Sequence, residues 1–166
     1  MMELQRQISR KLYEEHVAVL GLLGRFEKSL ARLRAEPPAA DDPVWSALLA
    51  QLATALEYEI TRHFNLEEEQ LFPRLHQRGE GELAELLFEE HETIRAVTRP
   101  LLGLIERART AELDAAGWHA LKAAGLELVE RLGSHAEKEQ GALVPLVDDM
   151  LDEATDRELF AAYAMT

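Results

Sequence analysis

Apolar residues recur at steps of three and four along most of the chain. Leu4, Ile8, Leu12, His16, Val19, Leu20, Leu23, Phe26 and Leu30 fall on one such stripe, the mark of an amphipathic helix. It predicts a helix to about Ala35, stopped by Pro37 and Pro38, because proline cannot continue the hydrogen-bond ladder. Asp42 before Pro43 reads as an N-cap with proline at the first helical position. The second stripe holds Leu48, Leu52, Leu56, Ile60, His63, Glu67 and Leu71, with a kink or the start of the helix's end expected at Pro73. After the break at Gly79-Glu80-Gly81, a third helix begins near Glu82 and carries Leu83, Leu87, His91, Ile94, Thr98, Leu101 and Ile105, with Pro100 as a kink. A polar stretch, Arg107–Asp114, precedes the fourth stripe: Leu121, Ala124, Leu128, Leu132, His135, Glu139 and Leu143, with Pro145 near its end. Thr155 and Glu158 have capping-box spacing ahead of Leu159 and Phe160, which predicts a short fifth helix over about 155–164. No segment alternates with period two, so no sheet is expected.

The two halves of this pattern match. Glu14-Glu15-His16 corresponds to Glu89-Glu90-His91, and Trp45 with Leu48 to Trp118 with Leu121. Trp45 lies eighteen residues before His63, and Trp118 seventeen before His135. Each half then has a histidine, a glutamate four residues on, and a proline six residues beyond the glutamate. A duplicated helical hairpin with short connections predicts an all-α, up-down-up-down antiparallel four-helix bundle over about residues 4–151. The fifth helix would pack on its end, and the 166 residues would form one domain. Trp45 and Trp118 read as packing at a bundle end.

Charge narrows the function classes. A formal net charge of -13, with Lys and Arg scattered, disfavours nucleic-acid backbones and anionic membrane surfaces. The chain has no cysteine, which excludes disulfides, thiolate metal sites and iron–sulfur clusters. The N-terminal sixteen residues have no apolar core of the secretory kind, and no apolar run approaches the roughly 20 residues of a membrane span. A cytoplasmic location is the expectation.

The chemistry sits where the stripes stop being apolar. Residues four apart on an α-helix lie roughly 40° apart around the axis and 6 Å along it. His63 with Glu67, and His135 with Glu139, therefore each share the inward face of a helix, and His16 and His91 face inward from the other two. Buried glutamates need compensation of several kcal/mol in roughly estimated magnitude. Two divalent cations supply it. Imidazole and carboxylate without thiolate suit iron, manganese or zinc. Each carboxylate has two oxygens and can bridge two ions, leaving positions for solvent or a small ligand. His76, near a helix end, and His119, beside Trp118, fall outside the pattern and are expected to be solvated or to stand behind the ligands.

The order of these residues, His16, then His63 with Glu67, then His91, then His135 with Glu139, resembles the hemerythrin-like (HHE cation-binding) family. The resemblance covers nearly the whole chain, roughly Leu4 to Leu151. The ferritin-like di-iron bundles, which place glutamate three residues before histidine, do not match any histidine here. The resemblance implies a non-haem di-iron centre, with His16, His63, His91 and His135 as terminal ligands and Glu67 and Glu139 as bridging carboxylates. Oxygen-carrying members have a further histidine where this chain has Arg95, which has no lone pair to give. They also end the last motif with an aspartate five residues after its histidine, where this chain has Glu139 four after. The six-residue set is similar to that of hemerythrin-like sensors and of iron–sulfur-cluster repair proteins, whose usual cysteine-bearing N-terminal extension is not seen in this sequence. Arg95 is expected to point outward, the alternative being an approach to an anion bound at the site. Glu15, Glu59, Glu68, Glu90 and Glu92 are candidates to orient the imidazoles, most of them expected on solvated faces.

Three functions follow from this site. The leading one is a metal-binding protein that binds or senses dioxygen, nitric oxide or peroxide. The second is a di-iron enzyme of oxidative or nitrosative stress defence, reducing peroxide or nitric oxide or repairing iron–sulfur clusters. The third is a metal-storage or structural site, with zinc as one candidate ion.

Overall fold

A computed structural model describes residues 3–166. Met1 and Met2, part of the N-terminal stretch read above for a secretory signal, lie outside the described residues. Five helices account for the fold, and no strand occurs among the described residues. Helix α1 is Gln7–Ala31. Helix α2 covers 43–77, as Pro43–Tyr58, Glu59–His63, Phe64–Leu66, Glu67–Leu71 and Phe72–Gln77 in one continuous rod. Helix α3 is Gly81–Arg109. Helix α4 covers 115–150, as Ala115–Lys138, Glu139–Leu143 and Val144–Met150. Helix α5 is Glu153–Ala164. Helix α1 packs on α2 and α4, and α3 packs on α2 and α4, closing an antiparallel ring; α5 lies against α1. No helix of the described residues is long and apolar enough to cross a membrane.

Caps account for the boundaries. Asp42 accepts from the backbone N–H groups of Val44 and Trp45, both at 3.0 Å, as the Asp-Pro signal predicts. Helix α1 ends at Ala31, one turn before the expected stop. Helix α5 starts two residues earlier than the capping-box spacing predicts. Asp152, not Thr155, is its N-cap, and the Asp152 carboxylate accepts from Thr155 N–H at 2.7 Å. Asp156 then turns back to accept from Gln7 and Ile8 N–H, each at 2.9 Å. That caps the start of α1 and fixes α5 to the bundle.

Two of the three connections in the bundle, α2–α3 and α3–α4, use the same stop. Glu80 N–H reaches Leu75 C=O at 2.8 Å across Gly79 (φ 86°), and Glu112 N–H reaches Arg107 C=O at 2.8 Å across Ala111 (φ 59°). Both are left-handed C-terminal caps, which favour glycine.

The interior is two apolar clusters with a polar layer between them. One cluster includes Phe26, Leu52, Leu56, Phe64, Ile94, Leu128 and Leu132. Trp45 and Trp118 meet edge-on at its far end, ring centroids 5.2 Å apart. The other includes Ile8, Leu12, Leu71, Leu75, Leu87, Leu143 and Val147. Along every bundle helix the chain passes from one cluster to the other at His16, at His63 and Glu67, at His91, or at His135 and Glu139. The histidine–glutamate pairs therefore occupy the waist of the bundle.

The cap geometry carries a test. Ala111→Gly removes a left-handed penalty of about 1–2 kcal/mol and adds about 0.5–1 kcal/mol of chain entropy, so it should stabilise by several tenths of a kcal/mol. Gly79→Ala should destabilise by a similar amount. Denaturant midpoints that move together would contradict a shared cap.

Candidate metal centre

All six residues singled out by their spacing meet at the waist, and each is at most 2 % exposed. Two compact donor groups result, His16, His63, Glu67 and Glu139 in one, and His91, His135, Glu67 and Glu139 in the other. Within each group the donor atoms lie within 4.8 Å of one another, so either could hold a metal ion.

The carboxylates are shared in a definite way. Glu67 directs Oε1 at His63 Nε2 and Oε2 at His91 Nε2, the latter at 3.3 Å. Glu139 directs Oε2 at His16 Nε2 (2.9 Å) and His63 Nε2 (3.9 Å). Its Oε1 faces His135 Nε2 (2.6 Å) and His91 Nε2 (3.4 Å). Each glutamate thus offers one oxygen to each histidine pair. Donors on one octahedral ion with bonds of about 2.1 Å are roughly 3.0–4.2 Å apart; the Glu67–His91, Glu139–His63 and Glu139–His91 separations fall in that range, and the other three are shorter, at hydrogen-bond distance or below.

Hydrogen bonding sets the tautomers. His63 Nδ1 donates to Glu15 (2.6 Å), His91 Nδ1 to Glu68 (2.8 Å) and His135 Nδ1 to Glu90 (2.8 Å). With Nδ1 as the donor, the neutral ring turns its Nε2 lone pair into the cage. His91 and His135 then face each other Nε2 to Nε2 at 3.1 Å, an approach that two lone pairs tolerate only with a shared proton or a cation held by both. Both oxygens of Glu67 and Nε2 of His63 are buried with no hydrogen-bond partner. Glu67 touches His63 and His91 as ion pairs, but neither contact has the geometry of a hydrogen bond. A cation satisfies all of these atoms.

The orienting carboxylates are themselves held. The Tyr58 and Tyr163 hydroxyls donate to Glu15 at 2.8 and 2.9 Å. Arg95 grips Glu68 through both Nη atoms at 3.2 and 2.7 Å. Lys138 pairs with Glu90. Burial pushes Glu15 and Glu68 up, but the histidine hydrogen bonds and these partners hold both carboxyls below the usual range. For Glu90 the His135 hydrogen bond is the largest cause of the same lowering. Burial raises the Tyr58 and Tyr163 hydroxyls, which keeps them protonated as donors.

Several expectations are corrected here. Arg95 does not point outward. It is 7 % exposed, donates from Nε to Ile60 C=O at 3.1 Å, and lies 5.3 Å over the Phe64 ring. It acts on the cage through Glu68 rather than facing it. Of the five acids expected mostly on solvated faces, only Glu92 is well exposed, and it pairs with Arg95. Glu59 is 4 % exposed and orients no imidazole N–H; burial raises its carboxyl. His76 and His119 are exposed, as expected. Sequence reasoning missed Tyr58, Tyr163, Lys138 and the role of Arg95, because no spacing rule links them to the motif. Gln140 occupies the position equivalent to Glu68, and its Oε1 and His16 Nδ1 are both buried without partners.

Backbone form explains how the glutamates reach inward. Glu59–His63, Glu67–Leu71 and Glu139–Leu143 are π-helical turns, with Phe64 N–H bonding Glu59 C=O and Phe72 N–H bonding Glu67 C=O. Such turns are rare and gather at functional sites. Two of them begin at Glu67 and Glu139 and close just before Pro73 and Pro145. The widened turn makes room for the proline ring and replaces the ladder bond that proline cannot make. The helices therefore run through both prolines instead of ending there.

A four-helix bundle with a fully buried histidine–glutamate cage defines a helical cation-binding protein. The family model for the hemerythrin HHE cation binding domain matches residues 7–147, and the chain belongs to that family. No curated protein matches the chain.

The cage sets a pH profile. In metal-free protein, burial opposes the charge on His91 and His135, but the surrounding carboxylates win and raise them to about 10 and about 9. Both lie above the unfolded value near 6.5, so their stabilisation is complete below about pH 6.5 and is lost as pH climbs through 9 and 10. The lowered carboxyls of Glu15, Glu68, Glu90 and Glu139 contribute above about pH 4.5 and lose their effect as pH falls. Thermal melts of chelator-treated protein should peak between roughly pH 4.5 and 6.5. Added metal should reverse the alkaline decline, because ions displace those protons. A flat profile from pH 7 to 10 would contradict this electrostatic picture.

Proposed function

We propose that the waist holds two iron ions and that the protein binds a small ligand there, dioxygen, nitric oxide or peroxide, to sense or buffer it. The observation that carries the reading is the split of Glu67 and Glu139, each with one oxygen toward each histidine pair. In this reading His16 and His63 hold one ion, His91 and His135 the other, and the two glutamates bridge them. When bound, two such irons supply redox change and open positions for a ligand.

The chain's own residues do the rest. Glu15, Glu68 and Glu90 hold three imidazoles in the tautomer that presents Nε2, which raises their basicity as ligands. Phe64 stacks on His91 with ring centroids 3.7 Å apart, and the flanking apolar clusters keep bulk water from the cage. A groove between α1 and α2, lined by Ala18, Val19, Leu22 and Ala55, reaches Glu15 and Glu59 beside the cage. Its apolar walls suit an uncharged diatomic ligand. The buried set of nitrogen and oxygen donors also accommodates zinc or manganese, so metal content decides between sensing and a structural site.

Protein reconstituted with iron should contain about two irons per chain. It should show near-ultraviolet charge-transfer bands that change on titration with nitric oxide or peroxide. Glu67→Gln and Glu139→Gln should each release metal and lower the melting temperature of the loaded protein, because metal binding contributes folding free energy. A single zinc, or no bound iron after reconstitution, would overturn the proposal. Continuous turnover of peroxide would transfer the assignment to an enzyme.

A further inference from the structure

The duplicated pattern is broken at one buried carboxylate. Four residues before His135 stands Arg131, whose side chain is 47 % exposed and pairs with Glu127. Four residues before His63 stands Glu59, with a side chain only 5 % exposed. Backbone form is the cause. Residues 131–135 lie in regular α-helix, whereas Glu59–His63 is the π-helical turn without a counterpart in the second half. Bonding from i to i+5 widens the turn, so residues four apart align more closely than in an α-helix. Glu59 is thereby brought inward beside His63.

Its surroundings give it no cation but the cage. Glu59 Oε1 lies 3.8 Å from His63 Nε2, within the roughly 3.0–4.2 Å that separates two donors on one octahedral ion. Among the described residues no other cationic group forms an ion pair with it. Once His63 donates Nδ1–H to Glu15 and turns its Nε2 lone pair to a metal, that imidazole is neutral. A glutamate buried beside neutral imidazoles is either protonated or bound to the ion. Glu59 stands outside the two compact groups of four donors, so its carboxylate must turn further inward to share an ion with all of the first group, and it also lines the groove between α1 and α2, on the side of His16 and His63.

We infer that Glu59 is a seventh protein ligand, a terminal carboxylate on the ion held by His16 and His63. The inference rests on the two-ion reading above. It makes the centre unequal. The His16/His63 position has five protein donors, Glu59 among them, and the His91/His135 position has four. The His91/His135 position therefore keeps one more open position than the His16/His63 position.

Glu59→Gln tests this, because glutamine keeps the shape of a protonated glutamate and loses the charge. Iron(II) is titrated anaerobically into metal-free protein against a competing chelator, and two dissociation constants are read. In Glu59→Gln one of the two equivalents should weaken by at least about tenfold, with the other near the parent value. Arg131→Gln, the equivalent change in the second half, should leave both unchanged. Glu59→Asp, which withdraws the carboxylate by one methylene, should weaken the same equivalent and serves if the glutamine variant does not fold. Parent-like binding of both equivalents in Glu59→Gln would show Glu59 to be a protonated acid and overturn the inference alone. A parent chain that binds fewer than two ions would overturn the two-ion reading and this inference with it.

Discussion

Charge buried at the bundle waist governs this structure. Glu67 and Glu139 are at most 1 % exposed, between apolar clusters that close off both ends of the interior. A carboxylate in such a place costs several kcal/mol in rough magnitude unless it is matched. Four imidazoles surround the pair, and three of those imidazoles lean on further carboxylates nearer the surface. Negative charge is thus layered around a centre that can take cations. Without cations, the same groups hold one another through protons, which explains the raised histidines. Protons and metal ions compete for one set of lone pairs.

The duplication builds the cage and its departures shape it. Glu15 on His63 and Glu90 on His135 are equivalent contacts from the two halves. Glu68 on His91 has Gln140 as its equivalent, so His16 lacks the anionic partner the other three rings have. Arg95 is buried against Glu68 and the Phe64 face, and neutralises a carboxylate that would otherwise sit half-desolvated beside the cage. Glu59 is brought inward in the first half only. The α1–α2 side and the α3–α4 side of the waist consequently differ in charge, although the backbone repeats. Helix α5 belongs to this arrangement too, since Tyr163 steadies Glu15 while Asp156 caps α1.

Much of this was legible in the chain because the signals are periodic and local. The four stripes, the Asp42-Pro43 cap and the matched histidine–glutamate spacing are fixed by helix geometry, and that geometry brings the six side chains together. What was not legible depends on contacts across helices or on backbone register. The π-helical turns shift the azimuth of Glu59 within its own helix, and periodicity at 3.6 residues per turn has no term for that. Pro73 was expected to kink its helix or begin its end, and Pro145 to lie near one; the helices end at Gln77 and Met150, and what was not legible is the wider turn before each proline that absorbs the lost ladder bond. Arg95 looked like a surface residue because a long cation on a stripe usually snorkels; its partner Glu68 lies on another helix. Asp152 was passed over for Thr155 because both satisfy the same capping rule, and only the Asp156 contacts to α1 fix the register.

The central claim is that two cations occupy the waist, one against each histidine pair, with Glu67 and Glu139 between them. The most direct test is anomalous-difference density at the iron edge from crystals of iron-loaded protein. The account predicts two peaks inside each chain, one beside His16 and His63 and the other beside His91 and His135, with a glutamate oxygen of each bridge on either peak. A single peak, or iron only on the acidic surface with the waist histidines still paired to the glutamates, would contradict it.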